Sequence, residues 1–300
     1  MAEAPTAGTK LRPAASASVD EAEAVAAAAA AAMGGTVRLA EHQDDARRAA
    51  ELFAVVWQRS DGVGPVTPEL AWALAGGGNY VAIAERDGQV IGATLGFRAF
   101  DADGDHLHSH LAGVHPGLQG TGVGYALKLH QRAWALGAGL ARVSWTFDPL
   151  VSRNCYFNLM KLGAQVCGFY PDYYGPLLDS MNGGDDSDRC LVIWHVAPGG
   201  ASLGGRAPGS GPDVEDLRAA GVQVLVQPGP EGRPAPGGGP PAGAVALLRV
   251  PDDIVALRRS EPGTARAWRA ELRGALSRAF EAGYALTHCT RDGWYVLTRN

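Results

Sequence analysis

The feature that most restricts this chain is a cluster of glycines, Val114-His-Pro-Gly-Leu-Gln119-Gly-Thr-Gly122-Val-Gly124, set between a strand-like run and an amphipathic helix. Glycine admits a tight turn and lets a ligand approach the backbone closely. The free N–H groups of such a loop, together with the positive end of the helix behind it, make an anion site suited to phosphates. Spacing then separates the known phosphate loops. A dinucleotide fingerprint wants glycine three residues after Gly122, where Tyr125 stands, and a nucleotide-triphosphate loop wants lysine after Gly124. Neither pattern is met. What fits is Gln-x-x-Gly-x-Gly over Gln119–Gly124.

Hydrophobic spacing places this loop inside an alternation of strands and helices. Val37–Ala40 reads as a strand and Asp44–Gln58 as a helix, while Thr67-Pro68-Glu69 starts another helix that ends at Gly76–Gly78. Tyr80–Arg86 and Gln89–Ala99 form a hairpin across Asp87-Gly88, followed by a strand over His106–Val114. After the loop come a helix (Tyr125–Leu136), a strand (Arg142–Phe147), a helix (Ser152–Leu162) and two strands, Gln165–Tyr170 and Cys190–Val196. Interleaving of this kind predicts an α/β sheet covered by helices on both faces.

That domain spans 36–197. Residues 1–35 are alanine-rich, offer little to bury, and read as a disordered tail. Residues 198–243 are rich in glycine and proline and read as a linker. The last stretch, 244–300, holds a strand (Ala244–Val250), a helix (Thr264–Ala282) and a hairpin across Asp292-Gly293. It is too small for a large core of its own and is expected to pack on the main domain, its strands extending the sheet there.

The loop resembles that of the GNAT superfamily of N-acyltransferases, and its surroundings strengthen the likeness: Val114 ends the strand, Pro116 follows, and a second helix closes with Lys161-Leu-Gly163-Ala164. Leu107-His-Ser-His110, Ala126-Leu-Lys128, Trp145-Thr-Phe-Asp-Pro149, Tyr173-Tyr-Gly175 and Ser187-Asp-Arg189 look like markers of a little-characterised bacterial GNAT family. The resemblance implies an α/β (α+β) GNAT fold, with a mixed, mostly antiparallel sheet flanked by helices. It implies acetyl-CoA as acyl-donor cosubstrate, gripped by Val114, Gln119, Gly120, Thr121, Gly122, Val123 and Gly124. It also implies direct transfer to a primary amine on a small molecule, and it leaves a homodimer open.

The chemistry is less regular. Many GNAT enzymes carry a tyrosine acid four residues before the helix-closing glycine, and here that position holds Leu159. Tyr156 and the Tyr170/Tyr173/Tyr174 cluster are the substitutes, with Tyr174 preferred. Strand alternation puts His106, His108 and His110 on one face. Three uses are open to them: a general base at His110, a zinc site, or structural hydrogen bonding. Asp148, at a strand's carboxyl end, would bind an acceptor ammonium, orient a histidine, or simply turn the chain. Asn154 and Asn158, one helical turn apart, would face the pantetheine arm or solvent. Asp188 and Arg189 would pair with each other or touch a charged acceptor. A non-catalytic acyl-CoA-binding or sensory module is the alternative that Leu159 keeps alive.

Composition removes other classes. A formal net charge of −5 argues against phosphate-backbone binding and hence nucleic acid. Four cysteines without paired spacing suit a reducing, cytoplasmic setting better than a disulfide scaffold. The longest apolar run, Ala22–Met33, is too short to span a bilayer, so no membrane partner is expected.

Overall fold

A computed structural model describes residues 16–59, 64–197, 211–237 and 239–299. Its centre is a seven-stranded sheet: β1 (Thr36–Leu39), β2 (Tyr80–Arg86), β3 (Gln89–Asp101), β4 (Gly104–Val114), β5 (Arg142–Phe147), β7 (Arg189–His195) and β6 (Gln165–Tyr170), in that spatial order. Every pairing in it is antiparallel except β4 with β5. This is the mixed, mostly antiparallel sheet flanked by helices that the resemblance implied. The β2–β3 turn is made by Asp87 and Gly88 at φ 51° and 74°, the doubly left-handed conformation that a two-residue hairpin requires.

Two helices, α2 (Gln43–Trp57) and α3 (Pro68–Gly76), cover one face of β2–β4, where Phe53, Ala49 and Val66 meet Val81, Ile83 and Leu95. The start of α3 is capped by the Thr67 hydroxyl, which accepts from the Leu70 amide, with Pro68 at the first helical position. The opposite face carries α4 (Val123–Gly137). It sits close because Gly92 has no side chain: a Cβ there would lie 2.7 Å from Val123 Cγ1.

The alanine-rich segment is not a structureless tail in its described part. Residues Ser16–Ala32 form α1, which packs antiparallel along α4. Ala22 and Ala26 join Leu129, Ala133 and Leu136 in the core, and Ala30 and Met33 join Val123 and Leu127. Alanines four apart make a smooth seam that lets two backbones approach, and each buried methyl contributes about 0.8 kcal/mol. Judged as an isolated segment it has nothing to bury; α4 supplies the surface. Residues 1–15 lie outside the described residues.

The carboxyl-terminal part forms its own sheet instead of lengthening the first. Strands β10 (Val245–Arg249), β12 (Trp294–Arg299) and β11 (Tyr284–Cys289) pair in that order, backed by α7 (Ile254–Ser260) and α8 (Pro262–Glu281). The expected linker is also partly structured. Within it, α6 (Val214–Ala219) and a ribbon of β8 (Val226–Pro228) and β9 (Pro234–Pro236) are formed, and Val224 bridges to Leu247. Residues 198–210 of that stretch lie outside the described residues. Trp268, Leu272 and Ala279 of α8 share one apolar core with Trp194, Val192 and Phe147 of the main sheet.

Charge ties the two parts together. Arg258 of α7 and Arg269 of α8 both reach Asp148, at 2.6 and 2.9 Å, and both reach Asp185, at 3.0 and 3.1 Å. Arg273 adds Asp188 at 2.6 Å and Asp186 at 2.8 Å. Burial alone would raise the Asp148 carboxyl, but the charges of Arg269 and Arg258 outweigh it and hold the group well below the usual carboxylate range. Removing one partner from such a buried cluster leaves an uncompensated charge. Arg269→Ala is therefore expected to cost about 3–5 kcal/mol of unfolding free energy in urea denaturation. Because the folded-state pKa of Asp148 is depressed, its stabilising contribution is present above the ordinary carboxylate pKa and is lost as pH falls below it. The stability gap between the native protein and Asp148→Asn should accordingly shrink on acidification below about pH 4.

Candidate active site

The glycine loop leaves β4 at Val114, makes a single 3-10 turn over Pro116–Leu118, and enters α4 at Gly122. Gly120 and Gly122 sit at φ 82° and 92°, left-handed backbone that a side chain would strain, and nothing blocks the space before Gly120. Gly122 is the N-cap of α4 and supplies no side-chain acceptor to the first-turn amides. Those amides have no intrahelical partner by geometry, so the positive end of α4 is open toward Gln119–Gly122, all of them exposed. Thr121 is turned inward on the loop instead, its hydroxyl donating to the Leu118 carbonyl at 2.7 Å.

Beside this loop the sheet parts. The β4–β5 pairing consists of Leu107 with Val143 and His108 with Ser144, after which the two strands run on toward Val114 and Phe147 without pairing to each other. A side chain fills the fork on the α4 side. Lys128 donates to Ser109 Oγ at 2.9 Å and to Gln131 Oε1 at 3.0 Å, and its ammonium lies 3.8 Å from the ring centroid of Trp145. Asn158 holds that indole from the other side, its Oδ1 accepting from Trp145 Nε1 at 3.2 Å. Burial pushes the Lys128 ammonium down to about 7. No reading of the sequence singled out Lys128 for this role. The available signal was a lysine inside the apolar run Ala126–Leu129, where a solvated residue has no exit.

On the α2 face of the fork the three histidines line up. β4 carries a bulge: Gly96 faces Ser109 and Leu95 faces Leu111, leaving His110 as the extra residue. The bulge shifts the strand's phase, so Leu107 packs with the α4 core while Leu111 packs with α2. The His110 ring stays beside Phe97 and His108, at 5.9 and 6.2 Å between centroids. His108 Nδ1 lies 3.0 Å from Ser144 Oγ, and burial, reinforced by the charges of its neighbours, pushes its pKa down to about 4. Burial also lowers His110 below the ordinary imidazole value. Both rings are thus neutral near pH 7, and His110 is the one left open to solvent.

The wall opposite is the segment between β6 and β7. Its Tyr174 ring meets His110 edge-on at 6.4 Å, and its hydroxyl lies 3.3 Å from Thr146 Oγ1. The Tyr174 amide donates to Ser187 Oγ at 2.7 Å, and the Asp172 amide donates to Asp188 Oδ1 at 2.9 Å. Farther along, the Ser180 amide donates to the Trp57 carbonyl at the end of α2, closing the wall against the helices.

His110 and Tyr174 are therefore brought together, His110 on the strand that leads to Val114, Gln119, Gly120, Thr121, Gly122, Val123 and Gly124, and Tyr174 on the wall facing it. Asp148 is not with them in function: its carboxylate is taken by Arg258 and Arg269 rather than offered to an acceptor. Asp188 pairs with Arg273, not with Arg189. Asn158 is committed to Trp145 through its carbonyl oxygen, and Asn154 is half-buried near the start of the same helix. That helix is a single α turn (Ser152–Cys155) continued as a π-helix over Tyr156–Lys161. Tyr156 points to the carboxyl-terminal part, where Arg291 stacks on its ring at 5.2 Å. Leu159 is buried. Among the described residues no cluster of His, Cys, Asp and Glu is arranged to hold a metal, and no helix is long and apolar enough to cross a membrane.

The mixed sheet thus forks beside an open, glycine-turned helix start. Residues 35–158 match the family model described as Acetyltransferase (GNAT) family. No curated protein sequence matches the chain. Solved structures that resemble it include yncA from Salmonella typhimurium, solved with acetyl-CoA, at 21% identity, covering 55% of this chain and 95% of that one with a TM-score of 0.41. The ribosomal-protein-S18-alanine N-acetyltransferase from Escherichia coli matches at 15% identity over 58% of this chain and 98% of its own, TM-score 0.41. The GphF GNAT-like decarboxylase, in complex with isobutyryl-CoA, matches at 17% over 54% and 99%, TM-score 0.43.

The Lys128 wedge has a measurable signature. Its folded pKa, about 7, lies below the unfolded value, so between those two values the unfolded chain binds more protons and stability rises with pH. Relative to Lys128→Met, the native protein should gain stability from pH 7 toward pH 10, with a slope of up to about 1.4 kcal/mol per pH unit. Denaturation midpoints of the two proteins across that range check it.

Proposed function

We propose that this protein is an acyl-CoA-dependent N-acyltransferase that moves an acetyl or other short acyl group directly onto a primary amine of a small molecule. The observation that carries this reading is the open start of α4, with Gly120 and Gly122 in left-handed backbone, at the mouth of the β4–β5 fork. The amides from Gln119 to Gly124 would hold the pyrophosphate, and the unpaired edges of β4 and β5 would flank the pantetheine arm. Acyl-CoA supplies an activated thioester, so transfer needs no covalent link to the protein. The amine nitrogen gains the acyl carbon and loses a proton, while the sulfur leaves and gains one.

His110 is the group to accept the amine's proton, directly or through water. It is neutral near pH 7, solvent-accessible, and lies on β4 four residues before Val114, roughly 13 Å of strand from the loop. Its position on a bulge aims the ring at the acceptor side. Tyr174, whose ring meets His110 edge-on, is the candidate proton donor to sulfur, with water as the substitute. Lys128 and Trp145 keep the fork open from behind. The second reading, an acyl-CoA-binding module without turnover, is favoured by a single observation, the buried Leu159 at the position where related enzymes carry their acid.

Titration calorimetry with acetyl-CoA tests the cradle: saturable binding is expected, and a Gly122→Glu/Gly124→Glu variant that remains folded should lose it. If the folded native protein binds no acetyl-CoA at millimolar concentration, the reading fails. Release of free CoA on mixing acetyl-CoA with a panel of amines separates enzyme from binding module. His110→Gln is expected to lower kcat by on the order of 100-fold or more. Since the base must be unprotonated and its pKa is lowered, native kcat/KM should fall with acid only below about pH 6.5, and the variant should lack that limb.

A further inference from the structure

One arginine beside the histidine face makes no ion pair among the described residues. Arg189 opens β7, and the pairing of Ser144 with Ile193 and Thr146 with Leu191 puts the odd-numbered residues of β7 on the face shared by Ser144, Thr146 and His108. Its side chain is only 8% exposed. Nη1 donates to the main-chain oxygen of Asp188 at 2.9 Å, and among the described residues the guanidinium makes no ion pair. The carboxylates around it are committed elsewhere: Asp148 to Arg258 and Arg269, and Asp188 to Arg273. The Tyr174 ring lies over the guanidinium at 5.7 Å, and the same ring meets His110 on its way across the site.

Asp148 compensates the Arg189 charge through space only, its oxygens being bonded by Arg258 and Arg269, and Arg keeps its charge while presenting a planar fork of donors that matches a carboxylate. The other arginines of this region use that fork on aspartates; Arg189 has Nε and Nη2 to spare. Building on the acyltransferase reading above, we propose that Arg189 is the anion subsite of the acceptor pocket, so that the amine acylated by this protein also carries a carboxylate. The amine then lies toward His110 and the carboxylate toward Arg189, with Tyr174 as the aromatic partition between them. That places the two groups several bonds apart in the acceptor, as in an amino acid with a spaced amino group. Desolvation lowers the Arg189 pKa, which fits a charge held out of water in advance of its ligand.

The test uses product analogues on the CoA-saturated full chain. N-acetylglycine, N-acetyl-β-alanine and N-acetyl-γ-aminobutyrate are titrated calorimetrically beside N-alkylacetamides of matching length without the carboxylate. At least one acid should bind tenfold or more tightly than its neutral counterpart, and Arg189→Gln should abolish that difference. Arg189→Lys should restore part of it. Tyr174→Leu, which leaves the buried charge untouched, should also weaken the acids and so covers the case in which Arg189→Gln does not fold. Acids that bind no better than the neutral amides, or equally well to a folded Arg189→Gln, overturn the proposal. A parallel titration with acetyl-CoA keeps the two readings apart: its failure removes the acyltransferase reading itself, whereas normal acetyl-CoA binding without carboxylate preference removes the subsite alone.

Discussion

The buried cluster of Asp148, Asp185 and Asp188 with Arg258, Arg269 and Arg273 is the interaction on which the working geometry depends. It joins three places that have no reason to be rigid by themselves: the free end of β5, the long segment between β6 and β7, and the two helices of the carboxyl-terminal part. Ion pairs of this kind contribute little net stability compared with apolar packing, because each ion first loses its water. What they contribute is direction. A carboxylate that must meet two guanidiniums at once admits few alternative placements of the backbone that carries it, and the Tyr174 wall inherits that restriction through Ser187 and Asp188.

The carboxyl-terminal part thus acts on the site without entering it. Its sheet does not join the main sheet, and its contribution to the pocket is made through arginines that consume the carboxylates around Arg189. The apolar side of the joint, where Trp268 and Leu272 meet Phe147 and Trp194, supplies the bulk of the binding energy between the two parts. The charged side sets the register. On the far side of the sheet, α1 makes a comparable addition, running along α4 and bringing Met33 to within 3.9 Å of where a side chain on Gly122 would begin.

Much of the architecture was legible in local patterns, and the reasons differ from element to element. The β2–β3 hairpin follows from Asp87-Gly88, because few residue pairs tolerate two successive positive φ values. The start of α3 follows from Thr67-Pro68, and the loop before α4 from glycines that the turn itself requires. In contrast, α1 was read as a tail because alanine carries almost no burial signal of its own; it folds against a partner about a hundred residues away. The β4 bulge was equally invisible, since His106, His108 and His110 look the same in sequence whether or not the strand slips by one residue. The surroundings of Lys128 and Asp148 were not legible in the sequence, for a shared reason. The meaning of a charge depends on what surrounds it, and their surroundings come from distant segments.

By itself, then, the sequence determined the order of strands and helices, the position of the glycine loop and the departure at Leu159, because each is written in residues adjacent along the chain. The tertiary structure alone decided which polar groups remain available for chemistry. Asp148 was withdrawn by two arginines more than a hundred residues away, Lys128 was driven into the fork and partly discharged, and Arg189 was left with no ion pair among the described residues because the carboxylates near it bond other arginines. Electrostatic roles are settled by competition among groups in space and by the water that burial removes, and neither can be read from spacing along the chain.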